Sequence, residues 1–310
     1  MQNNTTTGII GFGSYIPSNR IAASTISLTN PHSPPPGVVS KSAPDPDEDA
    51  VTMGIEAAHV ALSKGNISPS AIQSVFVGSE SHPYAVKPSA TIIAHALGIG
   101  PWYMAADTQF ACKAGTAALQ FTLGLVKSGM IATGMAIGSD TAQAAPGDVL
   151  EYTAGAGAAA IILGSDPHKI IATIDQTLSF SSDTPDFWRR PGEEHPQHAG
   201  RFTAGPSYFH HVVSCGKRLL EISELQPQDF TYLVLHQPNL KFPQKAAAML
   251  GFTPGQLEAS LLVREIGNCY AASSMLALCS ALGKAKPGEK VFMVSFGSGA
   301  GSDGFILTKM

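Results

Sequence analysis

Four residues of this chain have the types and spacing to do chemistry together: Glu80, Cys112, His236 and Asn268. Cys112 lies in DTQFACKAGTAAL, where a strand pattern passes into a helix pattern. A thiol at a helix N-terminus feels the positive end of the dipole, which is expected to lower its pKa and raise its thiolate fraction. Such a thiolate can carry an acyl group as a thioester. The local sequence fits a buried structural cysteine equally well. Cys215, Cys269 and Cys279 fit that structural reading better; Cys215 and Cys279 sit in helical patterns full of apolar neighbours. Glu80 ends the apolar run SVFVGSE between Ser79 and Ser81. In a partly dry cleft its pKa would rise toward the working range of a general base; the alternative is a solvated strand-end carboxylate. His236 likewise ends an apolar run, YLVLH, and precedes Gln237-Pro238-Asn239, which favours a site residue over a structural histidine.

The elements that must position these residues read as α/β, because apolar β-branched runs alternate with helical patterns. Residues 8–16 read as the opening strand, 28–48 as a long Pro-rich loop, and 50–64 as a helix introduced by Asp47, Glu48 and Asp49. A repeat then organises the chain. In the first half, SVFVGSE leads to helix ATIIAHALG, strand YMAADTQF and helix ACKAGTAALQFTLGLVKSG, with strands around MAIGSD and AGAAAIILG. In the second, YLVLHQ leads to helix FPQKAAAML, a short segment LLVREIG, helix NCYAASSMLALCSAL, and strands VFMVSFG and DGFILTK. Glu80 and Cys112 are 32 residues apart, and so are His236 and Asn268. A duplicated unit is expected, with halves 1–166 and 167–310, and equivalent strand ends would bring all four residues to one site.

Composition narrows the partners. A chain of 310 residues is long enough for one large or two smaller domains. The formal charge of −4 argues against nucleic acid or an anionic membrane surface as the main partner. No run reaches the roughly 20 apolar residues of a membrane span. The first residues lack the basic, apolar pattern of a secretory leader, and the four cysteines show no CxxC pair, so a reduced cytoplasmic protein is expected. Asn4-Thr5-Thr6 matches a glycosylation sequon, a match common by chance. The stretch Gly299 to Gly304 matches GxGxxG but leads into a strand, so a dinucleotide fingerprint fails on context. His195, His198 and the pair His210-His211 lack a matched set of further ligands, and no metal site is expected.

The motifs VGSESHPYAVKPSAT (77–91), ADTQFACKAGTAALQ (106–120), DTPDFWRR (183–190), HQPNLKFP (236–243), IGNCY (266–270) and SFGSGAGSD (295–303) resemble archaeal-type 3-hydroxy-3-methylglutaryl-CoA synthases, over nearly the whole chain. The resemblance implies a thiolase fold, five layers αβαβα in two pseudo-symmetric halves, normally a homodimer. It implies Cys112 as the nucleophile that takes an acetyl group from acetyl-CoA. It also implies Glu80 as the acid/base for the acetyl methyl, and His236 as the residue that polarises the ketone of acetoacetyl-CoA. By the same resemblance Thr153, Thr203, Asn268 and Ser298 lie near the reacting acyl groups, and Lys241 and Lys245 contact CoA. Coenzyme A thioesters are then substrates, with no tightly bound cofactor. Backbone N–H groups near Cys112 and in the Gly297–Gly301 turn would form the oxyanion hole. An acetoacetyl-CoA thiolase and a small zinc-ribbon/OB-fold protein are implied as partners. Lys245 stands where the family usually has Arg, and Cys-Tyr-Ala-Ala (269–272) where Thr-Tyr-Ser-Gly is usual. Two rival readings share these residues. A decarboxylating ketoacyl synthase uses Cys112, His236 and Asn268 without needing Glu80, and an inactive thiolase-fold subunit would serve as a scaffold. A thiolase proper is disfavoured, since a second cysteine in a Cys-x-Gly turn is missing near the end.

Overall fold

A computed structural model describes residues 6–141 and 143–310, so all but Thr6 of the Asn4 sequon lies outside the described residues. The first half contributes β1 (Gly8–Tyr15), α1 (Ala50–Gly65), β2 (Ser74–Gly78), α2 (Ser89–Ala96), β3 (Met104–Thr108), α3 (Ala114–Lys127), β4 (Thr133–Asp140) and β5 (Gly157–Gly164). The second contributes β6 (Ala172–Ser181), α4 (His210–Ser223), β7 (Tyr232–Leu235), α5 (Lys241–Leu250), α6 (Ser273–Lys284), β8 (Lys290–Val294) and β9 (Gly301–Lys309). The strands run in the order β7-β8-β9-β6-β1-β5-β4-β2-β3. β2 pairs in parallel with β3 and β4, and β7 with β8, while β5 and β9 return antiparallel.

The two halves meet where β1 and β6 share only the pairs Gly8–Thr173 and Ile9–Ala172. A Cβ on Gly8 would lie 2.4 Å from the Ala172 carbonyl oxygen, so glycine is required at that seam. Counting outward from it, the halves run β1-β5-β4-β2-β3 and β6-β9-β8-β7. The orders correspond except that the second half lacks the outermost strand; at that point in the chain stands a short helix, Val263–Ile266.

Alternation along the strands creates the layers, because successive side chains face opposite sides of a sheet. Val75 and Val77 pack outward with Met53, Ala57 and Ile93 of α1 and α2, while Phe76 packs inward with Leu119. Leu233 and Leu235 pack outward with Leu219 and Ala246 of α4 and α5, while Val234 joins Leu119 and Met275 on the inside. Helices α3 and α6 therefore lie between two sheet layers, and the other helix pairs cover the outer faces. The inner layer is tight: a Cβ on Gly115 or Gly138 would come 2.5 Å from the Ala271 carbonyl oxygen.

Asp49 caps α1, its carboxylate accepting from the Val51 and Thr52 N–H groups at 2.8 Å. The stretch expected as loop contains a strand: Ser40–Ala43 pairs antiparallel with Asn19–Ala22. Its pairing is fixed by contacts distant in sequence, Val39 N–H to Arg264 O at 2.7 Å and Ser42 Oγ to Ile266 O at 2.9 Å, which periodicity cannot reveal.

Candidate active site

Cys112 and Asn268 occupy corresponding turns, each just ahead of an inner helix, and the residue before each has a left-handed backbone. Ala111 has φ +45° and Gly267 φ +76°. For alanine this conformation costs of order 1–3 kcal/mol, which the surrounding packing must hold in place. Gly267 has no such choice, since a Cβ there would lie 2.5 Å from the Thr153 carbonyl oxygen. The Asn268 N–H donates to that same oxygen at 2.6 Å. Its Oδ1 accepts from Tyr270 N–H at 3.0 Å and from Ser273 Oγ at 2.9 Å, which leaves the Nδ2 hydrogens to face Cys112.

Glu80 sits just past β2 in a loop stitched down by Asp140, the last residue of β4. Asp140 Oδ1 accepts from Ser79 Oγ and Glu80 N–H at 2.7 Å, and from Ser81 N–H and Oγ at 3.0 and 2.7 Å. Its Oδ2 accepts from Ala271 N–H at 2.7 Å, which ties the Glu80 loop to the turn before α6. Sequence reasoning missed Asp140, although its place at the end of MAIGSD was a usable signal. Among the described residues His236 is hydrogen-bonded through its backbone alone, its N–H donating to Val294 O at 3.1 Å and its carbonyl accepting from Tyr208 Oη at 2.7 Å, while its ring packs on Phe296. Among the described residues neither ring nitrogen has a partner.

Burial sets the proton affinities. The Glu80 carboxyl is pushed up to about 8, first by burial and then by the Asp140 charge, against Cys112 and Arg189. His236 is pulled down to about 3 by burial alone, so its ring is neutral at ordinary pH. The Cys112 thiol is raised, by burial first and then by the nearby Glu80 charge. This corrects the expected lowering at a helix N-terminus. The dipole is worth about 0.3–1 kcal/mol, too little to offset desolvation beside a carboxylate. The resting thiol is protonated, and its activation requires a proton acceptor.

Cys112, Thr153, Thr203, His236, Asn268 and Ser298 line one cavity of about 70 Å³. Leu150, Phe187, His198, Pro238 and Tyr270 complete it and were not singled out as site residues in the sequence. His198 is fixed by Asp148, with Nε2 3.0 Å from Oδ2. Phe187 and Ser298 also border a second cavity of about 260 Å³, whose polar lining includes Ser79, Glu80, Gln109, Gln143 and Arg189. The turn after β8 is pinned by Asp186, which accepts from Gly299 N–H at 2.8 Å. Gly297, Ala300 and Gly301 N–H groups also have acceptors, whereas Ser298 N–H has none among the described residues. Lys241 and Lys245 line neither cavity; Lys241 is exposed at the start of α5, and Lys245 Nζ lies 4.8 Å from the Phe209 ring centre.

The geometry can be set against known proteins. A family profile, 3-oxoacyl-[acyl-carrier-protein] synthase III C terminal, matches residues 220–309. The chain is 21% identical to the crystal structure of 3-oxoacyl-[acyl-carrier-protein] synthase III from Aquifex aeolicus, with TM-score 0.89 over 97% of this chain and 99% of that one. It is 25% identical to a crystal structure of HMG-CoA synthase complexed with CoA, with TM-score 0.86 over 98% of this chain and 82% of that one. These likenesses establish the thiolase fold. Sequence similarity is far higher to the hydroxymethylglutaryl-CoA synthase of Methanobrevibacter smithii, 52% identical over 97% of this chain and 88% of the relative. At that identity and coverage, the chain belongs to the hydroxymethylglutaryl-CoA synthase family.

Proposed function

We propose that this protein condenses acetyl-CoA with acetoacetyl-CoA to 3-hydroxy-3-methylglutaryl-CoA, through an acetyl thioester on Cys112. The observation that carries this reading is the meeting of Cys112 with a carboxyl group held at about 8, beside a neutral, partnerless histidine. Cys112 attacks the acetyl thioester, its proton leaves with the CoA thiol, and an oxyanion is met by N–H donors such as that of Ser298. Glu80, ionised, removes a methyl proton from the acetyl group; a base with pKa near the working pH is the effective one. The carbanion attacks the ketone of acetoacetyl-CoA, whose oxygen is polarised by His236 and flanked by Asn268. Water then cleaves the Cys112 thioester. Thr153, Thr203 and Ser298 shape the acyl cavity, while Lys241 and Lys245 take CoA phosphates from outside it.

A second reading has a specific observation in its favour, since the matched profile and one solved relative are ketoacyl synthases. A decarboxylating synthase generates its carbanion by losing carbon dioxide and has no use for a carboxyl held at high pKa beside the thiol. The Glu80 environment therefore favours the first reading.

The chain is further proposed to be a duplicated pair of units, 1–166 and 167–310, supported by the corresponding strand orders. A homodimer would pair the free edge of β3 with its copy. That edge is flanked by exposed Trp102, Met104 and Phe121, an apolar surface unsuited to water. A cytoplasmic enzyme working beside an acetoacetyl-CoA thiolase and a zinc-ribbon/OB-fold protein follows from the sequence resemblance.

The test is to expose the protein to acetyl-CoA and map adducts by peptide mass spectrometry, then add acetoacetyl-CoA and identify the product. Acetylation is expected on Cys112 alone, because Cys215, Cys269 and Cys279 are buried away from both cavities. An adduct on another cysteine, or a preference for malonyl thioesters, overturns the reading.

A further inference from the structure

The reaction proposed above poses a problem of access. After condensation the acyl group is still bound to Cys112 and also carries its CoA arm, which fills the way by which the thioester entered. The water that cleaves the Cys112 thioester must arrive from another side. Two cavities flank the reacting atoms. The smaller, about 70 Å³, holds Cys112, His236 and Asn268 and has room for little besides the acyl groups. The larger, about 260 Å³, lies across Phe187 and Ser298 and is bordered by Ala111, next in the chain to Cys112. Its polar lining suits water, which persists in cavities that offer several hydrogen-bond partners. Glu80 borders it, and its buried Oε1 has no partner among the described residues.

Resting on that functional reading, we infer that the chamber lined by Glu80, Gln109, Gln143 and Arg189 stores and delivers the hydrolytic water. Water held by the two glutamine amides reaches the Cys112 thioester from the larger cavity, past Ala111 and Phe187. Its oxygen bonds to the thioester carbon, and the carbon–sulfur bond breaks. One of its protons returns to the Cys112 sulfur as thiol. The other is lost through the chamber to solvent, leaving a free carboxylate on the product. Arg189 roofs this side, its Nη2 donating to the Glu80 carbonyl at 2.9 Å, so a guanidinium faces the carboxylate as it forms. The smaller cavity receives the carbon skeleton and the larger one the water.

The test is a single turnover on the full chain with the Gln109→Leu/Gln143→Leu double variant, and with Gln109→Leu alone because Gln109 is exposed and safe for folding. Acetylated enzyme is mixed with acetoacetyl-CoA, quenched, and weighed intact. The double variant should acetylate and consume its acetyl group at near wild-type rates, yet hydrolyse about ten-fold more slowly, so that a Cys112 adduct carrying the whole condensed acyl-CoA accumulates. The single variant should show the same adduct in smaller amount. Hydrolysis at the wild-type rate with no adduct overturns the chamber assignment. Equal slowing of acetylation and hydrolysis overturns it too, since that is the mark of structural damage. Failure of wild-type Cys112 to take up the acetyl group of acetyl-CoA would instead overturn the functional reading beneath it.

Discussion

The two strand-end loops that carry Glu80 and His236 solve one structural problem in opposite electrostatic ways. Each follows the same strand of its half, and each must be pinned where a sheet stops. The Glu80 loop is pinned by a carboxylate, Asp140, which accepts five hydrogen bonds. The His236 loop is pinned by neutral groups: Tyr208 Oη on its carbonyl, and the Gln237 amide, whose Oε1 accepts from Leu262 and Val263 N–H groups at 3.0 and 3.1 Å. Burial acts on both groups, and the anchor decides what is added to it. For Glu80 burial comes first and the Asp140 charge adds to it, so the carboxyl holds its proton to about 8. With neutral anchors burial acts alone, and His236 stays unprotonated down to about 3. One architecture thereby supplies an acid that becomes a base near neutrality and an uncharged hydrogen-bonding ring.

The largest effect expected from breaking this contrast is that of Glu80→Ala. Acetyl transfer to Cys112 needs a thiolate and an oxyanion hole, and removing Glu80 takes away one cause of the raised thiol pKa, whereas condensation needs a proton taken from the acetyl methyl. A positioned base contributes about 10²–10⁴-fold to such a step. The variant should therefore accumulate acetyl-Cys112, visible by mass spectrometry, while forming product slower by about that factor. Near-normal condensation would remove Glu80 from the reaction and favour the decarboxylating reading.

A smaller effect separates the two loops by pH. Glu80 carries a proton in the folded protein up to about 8, while the unfolded chain releases it near its ordinary 4.5. The stability associated with that proton is full below 4.5 and lost as pH rises toward 8. His236 runs the other way: the unfolded chain gains a proton below 6.5 and the folded one does not, so stability is lost as pH falls from 6.5 toward 3. Thermal melts should show Glu80→Gln gaining on wild type by a few degrees as pH is raised, and His236→Gln gaining as pH is lowered. Parallel curves for both variants would mean that the two sites share one environment.

Much of this contrast was legible in sequence, and the gaps have physical causes. Strand ends and helix starts show in apolar periodicity, so Glu80, Cys112, His236 and Asn268 could be placed and their equal spacing noticed. Periodicity carries no sign of desolvation, and the Cys112 thiol was expected low when burial and Glu80 raise it. Asp140 escaped because a terminal aspartate reads as solvated until its five donors are seen. The strand Ala172–Ser181 also escaped, since its ATIDQTLSFS mixes half-buried polar residues with apolar ones. Phe187 and His198 face each other in a ribbon of two-residue strands, Phe187–Trp188 and Gln197–His198, too short for periodicity to show, and the place of this ribbon and of Arg189 over the site depends on tertiary contacts such as Ala199 N–H to Asp186 O at 2.9 Å.

The smallest effect concerns the helices that follow these loops. At α2 the first N–H groups are neutralised by an acid, Asp107, which accepts from Ser89 and Ala90 at 2.6 and 2.9 Å. At α5 the first residue is a cation, Lys241, and the acceptor there is the uncharged Asn239 Oδ1, 3.1 Å from Phe242 N. A lysine at a helix N-terminus opposes the dipole by about 0.3–1 kcal/mol, so its presence needs a reason outside folding. A phosphate-bearing substrate would supply one, drawing on the exposed ammonium. Lys241→Ala should leave thermal stability equal or slightly higher while raising the apparent KM for CoA thioesters by about 2–5-fold, the range of an exposed ion pair. The increase should fade at high salt, where screening already removes such contacts. An unchanged KM at low salt would make Lys241 a solvated surface charge and confine the difference between the halves to the two loops.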